Sequence, residues 1–200
     1  MRKLFAMLLV LCALSGAAAA DDFGQSYDRF LDQYAENIKF INANTSRHLL
    51  PLDFKGDFDS LGERIYVLSS GALEVEIKLD DMASQIARCQ ITLTAPSGMT
   101  YGDSRHNEFT VSGYHSYALQ MAMHDSADLV ERYALVEEVE AGLAAGNGAY
   151  KTQVGDYRLT CTAQNGVATL LFENELLMVN TIETETETED VPSIEIKDQE

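Results

Sequence analysis

Between Leu73 and Asp80 apolar and polar residues take strict turns: Leu73, Val75, Ile77 and Leu79 alternate with Glu74, Glu76, Lys78 and Asp80. A period of two puts one set on each side of an extended chain, so the segment predicts a strand with one dry and one wet face. The dry face has to be covered, which demands neighbouring strands and a second layer. The same alternation returns at Ala87, Cys89, Ile91 and Leu93 against Arg88, Gln90, Thr92 and Thr94, and at Tyr157, Leu159 and Cys161 against Arg158, Thr160 and Thr162. A short apolar run around Ile65 and Val67 precedes a Ser69-Ser70-Gly71 turn. Asn165-Gly166, the favoured two-residue hairpin turn, leads into Val167 to Phe172. Half-wet strands joined by tight turns indicate antiparallel pairing.

Elsewhere the period lengthens. From Ser26 the residues Tyr27, Phe30, Leu31, Tyr34, Ile38 and Ile41 recur at three- and four-residue steps, which predicts an amphipathic helix over 26–44. Leu129, Tyr133, Val136 and Leu143 do the same after Ser126, an N-cap residue type, and stop at Gly146-Asn147-Gly148, predicting a helix over 126–145. Residues 114–123 fit both periods, and their Ala, Leu, Gln and Met content favours helix. Residues 51–62, with Pro51, Gly56, Gly62 and no clear period, read as a loop. The expected fold class is α+β, a mainly antiparallel sheet with two or three helices packed on one face.

The first twenty residues set the compartment. Arg2 and Lys3 precede an apolar run from Leu4 to Leu14 that is too short to span a bilayer, and Ala17 to Ala20 lead into Asp21 and Asp22. This is the pattern of a secretory signal peptide over residues 1–20, cleaved between Ala20 and Asp21. The chain is therefore expected outside the cytoplasm, in the periplasm or secreted, with no membrane insertion after the signal is removed. Leu11 stands where a lipoprotein needs a small residue before Cys12, so no lipid anchor is expected there. In an oxidising compartment Cys89 and Cys161, both on core-facing positions of predicted strands, are expected to form one internal disulfide.

A single domain over 21–180 follows from the length, and residues 181–200 differ in kind. Thr-Glu repeats and a charged end give that segment eight acidic residues against one lysine, a composition that predicts a disordered tail. The whole chain carries a formal charge of −18, and the loss of Arg2 and Lys3 takes it to −20. Binding a polyanion starts with clustered basic residues, so nucleic acid is not an expected partner.

Chemistry-bearing residues cluster at a few places in the sequence. Gly102-Asp103-Ser104 resembles the nucleophile block of lipases and esterases with a Gly-Asp-Ser start. That family takes its base from a later Asp-x-x-His, whereas here the Asp-x-x-His is Asp103 to His106, overlapping the block, so a polar turn is the better reading. Segments 91–98 and 155–161 resemble strands of secreted β-sandwich modules, Ig-like ones included, but Tyr157 stands four residues before Cys161 where an Ig tyrosine corner has two. The long helix between them also favours α+β. His48, His106, His115 and His124 show no metal-ligand spacing. Asp53, Asp57, Asp59 and Glu63 suggest calcium, but an EF-hand starting at Asp53 would need glycine at Phe58 and glutamate at Arg64, so a solvated acidic loop is expected. Asn44-Thr45-Ser46 is an N-glycosylation acceptor sequence that reads here as a helix-ending turn. No metal and no cofactor is expected. The functional expectation is a non-catalytic binding protein for a protein or small-molecule partner, the alternative being an extracytoplasmic hydrolase with an unrecognised site.

Overall fold

A computed structural model describes residues 24–60, 62–80, 85–95, 107–124 and 128–177, with the backbone alone for 107–110. The signal peptide with Ala20 and Asp21, the Gly-Asp-Ser block, His106 and the acidic tail lie outside the described residues.

Helix α1 (Tyr27–Asn44) begins where the side-chain oxygen of Ser26 accepts from the Arg29 amide. Strands β1 (Lys55–Phe58), β2 (Arg64–Ser70), β3 (Leu73–Leu79) and β4 (Ile86–Thr94) follow as an antiparallel meander. Two helices, α2 (Asn107–Ala122) and α3 (Leu129–Ala145), then carry the chain across the sheet. Strands β5 (Ala149–Val154), β6 (Tyr157–Gln164) and β7 (Val167–Glu173) return inward from the far edge until β7 pairs antiparallel with β4. The result is a seven-stranded antiparallel sheet in the order β1-β2-β3-β4-β7-β6-β5, and the α+β class is as the alternation implies.

The sequence turns act where expected. Asn165 and Gly166 both adopt positive φ, 53° and 79°, the geometry that joins β6 to β7 with matching twist. α3 starts at an Asp128 N-cap completed by Glu131, two residues beyond Ser126, because an Asp with Glu three positions later satisfies two orphan donors at once. Its end brings Gly142 under the Tyr150 ring, where a Cβ would lie 2.3 Å from the nearest ring carbon. Residues 51–62 are not all loop, since β1 runs through them as an exposed edge strand.

The inner face of the sheet carries Leu73, Val75, Ile77, Cys89, Ile91, Leu93, Leu159, Cys161, Leu170 and Phe172, all buried, and the helices cover it. α1 contributes Tyr27, Phe30 and Tyr34 to an aromatic cluster with Phe54 and Tyr66, in which Tyr27 stacks on Tyr66 at 3.8 Å between ring centroids. No helix among the described residues is long and apolar enough to cross a membrane.

The expected Cys89–Cys161 disulfide is not formed. Both cysteines face the core as the alternation implies, but β7 lies between their strands: Cys89 pairs with Phe172 and Cys161 with Leu170. Two interstrand steps of about 4.8 Å each separate their backbones by about 10 Å or more. That exceeds the reach of about 7 Å a disulfide allows between α-carbons. The thiols are free and buried, and burial pushes Cys161 up to about 12 and Cys89 higher still, so neither is a ready thiolate.

Candidate functional site

Strand pleating sends every second residue of the sheet away from the helices, and the antiparallel register lines these residues up in rows. One row runs Lys55, Val67, Glu76, Gln90, Leu171, Thr160, Lys151 from β1 to β5. The next runs Ser69, Glu74, Thr92, Thr169, Thr162, Ala149. A third runs Asp57, Ile65, Lys78, Arg88, Glu173, Arg158, Gln153. No described helix packs over this face, and its residues are hydroxyls, amides and charges with a few aliphatic groups among them.

At the β1 end the first two rows line a groove of about 460 Å³. Lys55, Val67, Ser69, Glu74, Glu76, Gln90 and Thr92 contribute to it, together with Asp53 from the residues leading into β1. This size falls in the range of small-molecule sites, about 300–1,000 Å³. Its floor is rigid, because β2, β3 and β4 are fixed by continuous pairing on both sides. Its chemistry is three carboxylates, one ammonium, two hydroxyls and one carboxamide around the Val67 side chain.

The acidic cluster Asp53, Asp57, Asp59 and Glu63 does not converge. Asp53 lies in the groove, and Asp57 accepts from the Phe58 amide on β1. Asp59 and Glu63 turn instead to Lys78, whose ammonium is 3.6 Å from an Asp59 oxygen and in direct contact with Glu63. A lysine thus stands where a cation would be held. Among the described residues no group of three or more histidines, cysteines, aspartates and glutamates is placed to hold a metal ion. Across the third row Arg158 bridges Glu173, at 3.0 Å, and Glu175.

Three histidines are placed separately. His48 is exposed and His124 half-buried, whereas His115 is buried between α1 and α2. There the Leu52 amide donates to the Tyr34 hydroxyl at 3.4 Å, and that hydroxyl shares a hydrogen bond of 2.8 Å with His115 Nδ1. Asn37 donates to the Ala118 carbonyl at 3.0 Å in the same helix interface, and Gln33 of α1 and Ser112, Ser116 and Gln120 of α2 are buried as well. Sequence reading gave no signal for this seam, because buried polar residues interrupt the helical period that marks a core.

Burial pushes His115 below the ordinary imidazole value and Tyr34 up to about 12, so the pair is neutral near pH 7. The unfolded chain, with an imidazole near 6.5, binds the proton more readily than the folded one. The stability this neutral pair contributes is present above about pH 6.5 and is lost as pH falls through the folded value. Urea unfolding is therefore expected to show a drop in stability from pH 7 to pH 5, and the drop is expected to shrink in His115→Gln. Equal drops in both proteins would place the acid sensitivity elsewhere.

No protein-family model, no curated protein and no solved structure matches the chain. The class is accordingly defined by its own architecture: an α+β protein with helices on one face of a seven-stranded antiparallel sheet and a grooved polar face on the other.

Proposed function

We propose that the chain is an extracytoplasmic binding protein without a catalytic role, and that the helix-free face of its sheet is the surface that engages a ligand or partner. The observation that carries this reading is the groove of about 460 Å³ built from registered polar rows on a fully paired floor. Side chains held this way present a fixed pattern of donors and acceptors at little cost in ordering, which is what selective binding requires.

A photo-crosslinking residue placed at Gln90 or at Thr92, on the groove floor, tests the reading against one at Tyr133, on the exposed side of α3. In native envelope extract the floor positions are expected to give adducts, detected by intact mass, that the Tyr133 position does not give. Adducts from Tyr133 alone, or the same adducts from all three positions, would overturn the assignment of the face.

A further inference from the structure

We infer that β1 is a self-association edge, on which a second copy of this chain adds its own β1 antiparallel about a two-fold axis at Gly56. β1 ends the sheet, all four of its residues are exposed, and no described residue pairs with its outer side. An unpaired edge leaves a row of amides and carbonyls that a further strand can satisfy. The side chains decide which strand. Lys55 and Asp57 are two residues apart on the helix-free face. With Gly56 opposite its copy, each lysine meets the aspartate of the other chain, giving two reciprocal ion pairs. Neither residue has an ion-pair partner among the described residues. One Asp57 oxygen accepts from the Phe58 amide at 2.8 Å, and the other is left for the lysine.

The other face of the strand fits the same axis. Phe58, 64 % exposed, lies on the helix side with Gly56, and the pairing sets it beside Phe54 of the second copy. Phe54 already packs edge-on against Tyr27, Phe30 and Tyr34, so the incoming ring joins an existing aromatic cluster. At the axis Gly56 is bare and the Tyr66 ring takes the space, which a Cβ would approach to 3.2 Å. No side chains therefore collide where the two strands cross the axis. Past the strand end Asp59 turns to Lys78, at 3.6 Å, rather than confront Asp53 of the second copy. The opposite edge lacks this complementarity, because β5 carries Lys151 and no carboxylate and two copies of it gain no ion pair. Four residues a side bury less than the about 1,200–2,000 Å² of a standard interface, so the dimer is weak and concentration-dependent.

Analytical ultracentrifugation of the full exported chain tests the pairing on the wild type, on Lys55→Asp, on Asp57→Lys and on an equimolar mixture of the two variants. Both positions are exposed, so both variants are expected to fold, which circular dichroism checks. Each variant alone opposes like charges at both contacts and is expected to dimerise at least about ten-fold more weakly than the wild type. In the mixture unlike charges meet again at both contacts, and dimers with one copy of each variant are expected to return to wild-type strength. A wild type that stays monomeric up to about 1 mM would overturn the inference and leave the edge to a strand from another protein. Variants that associate as the wild type does, or a mixture that stays monomeric while the wild type dimerises, would overturn it as well by placing the contact on another surface.

Discussion

Phe172→Ala is expected to lower the free energy of unfolding by about 3–5 kcal/mol, which chemical denaturation would register as an earlier midpoint with little change in slope. Phe172 is 0 % exposed and lies on β7, an interior strand held between β4 and β6 in the order β1-β2-β3-β4-β7-β6-β5. On its two sides it pairs with Cys89 of β4 and Leu159 of β6, themselves buried. Truncation there removes the ring at the seam where the N-terminal meander meets the returning C-terminal strands. Continuous pairing on both flanks holds the backbone and limits collapse into the cavity. A loss below about 1 kcal/mol would mean that the helices settle onto the sheet and fill the space. Because a typical domain has only about 5–15 kcal/mol in total, the expected loss is a large share of what keeps the two halves together.

The same residue explains why half of the cysteine expectation held. Alternation reports which face a side chain takes, so both cysteines were correctly read as inward. It carries no information on strand order, and the insertion of β7 between β4 and β6 is a tertiary fact. Among the five inner strands β3, β4 and β6 are legible as alternation, β2 as a short apolar run and β7 from the Asn165-Gly166 turn. The edge strand β1 reads as loop because all four of its residues are exposed, and the reading of the sequence does not include β5, although Tyr150, Thr152 and Val154 alternate inward along it. The helical reading of 114–123 covers only the later part of α2, because Thr110, Val111 and Gly113 in its first turns are poor helix formers and hide its start at Asn107. The groove was legible in fragments only. Asp53 was picked out among acidic residues, and Glu74 and Glu76 as a wet strand face, but their meeting with Lys55 and Thr92 depends on register across four strands.

Tyr157→Phe is expected to cost about 2–4 kcal/mol, although it removes a single oxygen. The hydroxyl, on a residue 2 % exposed, accepts from the Gln25 amide at 3.0 Å and donates to the Ile86 carbonyl at 2.9 Å. It thereby fastens the residues leading into α1 to the start of β4. The Ile86 amide also donates to the Gln25 carbonyl at 2.8 Å, and Ser26 and Gln85 form an isolated antiparallel bridge beside it. Phenylalanine keeps the ring and its packing but orphans a buried donor and a buried acceptor, at about 1–3 kcal/mol each. A chain beginning at Asp21 retains every part of this clamp, whereas one shortened past Ser26 loses both the clamp and the α1 N-cap. Two measurements check the prediction: urea unfolding for the total cost, and hydrogen exchange at the Gln25 and Ile86 amides for its location. Exchange that quickens at both sites with the stability loss confirms the clamp. Unchanged stability with unchanged exchange would show that the residues ahead of α1 are held by the Gln25–Ile86 backbone pairing alone.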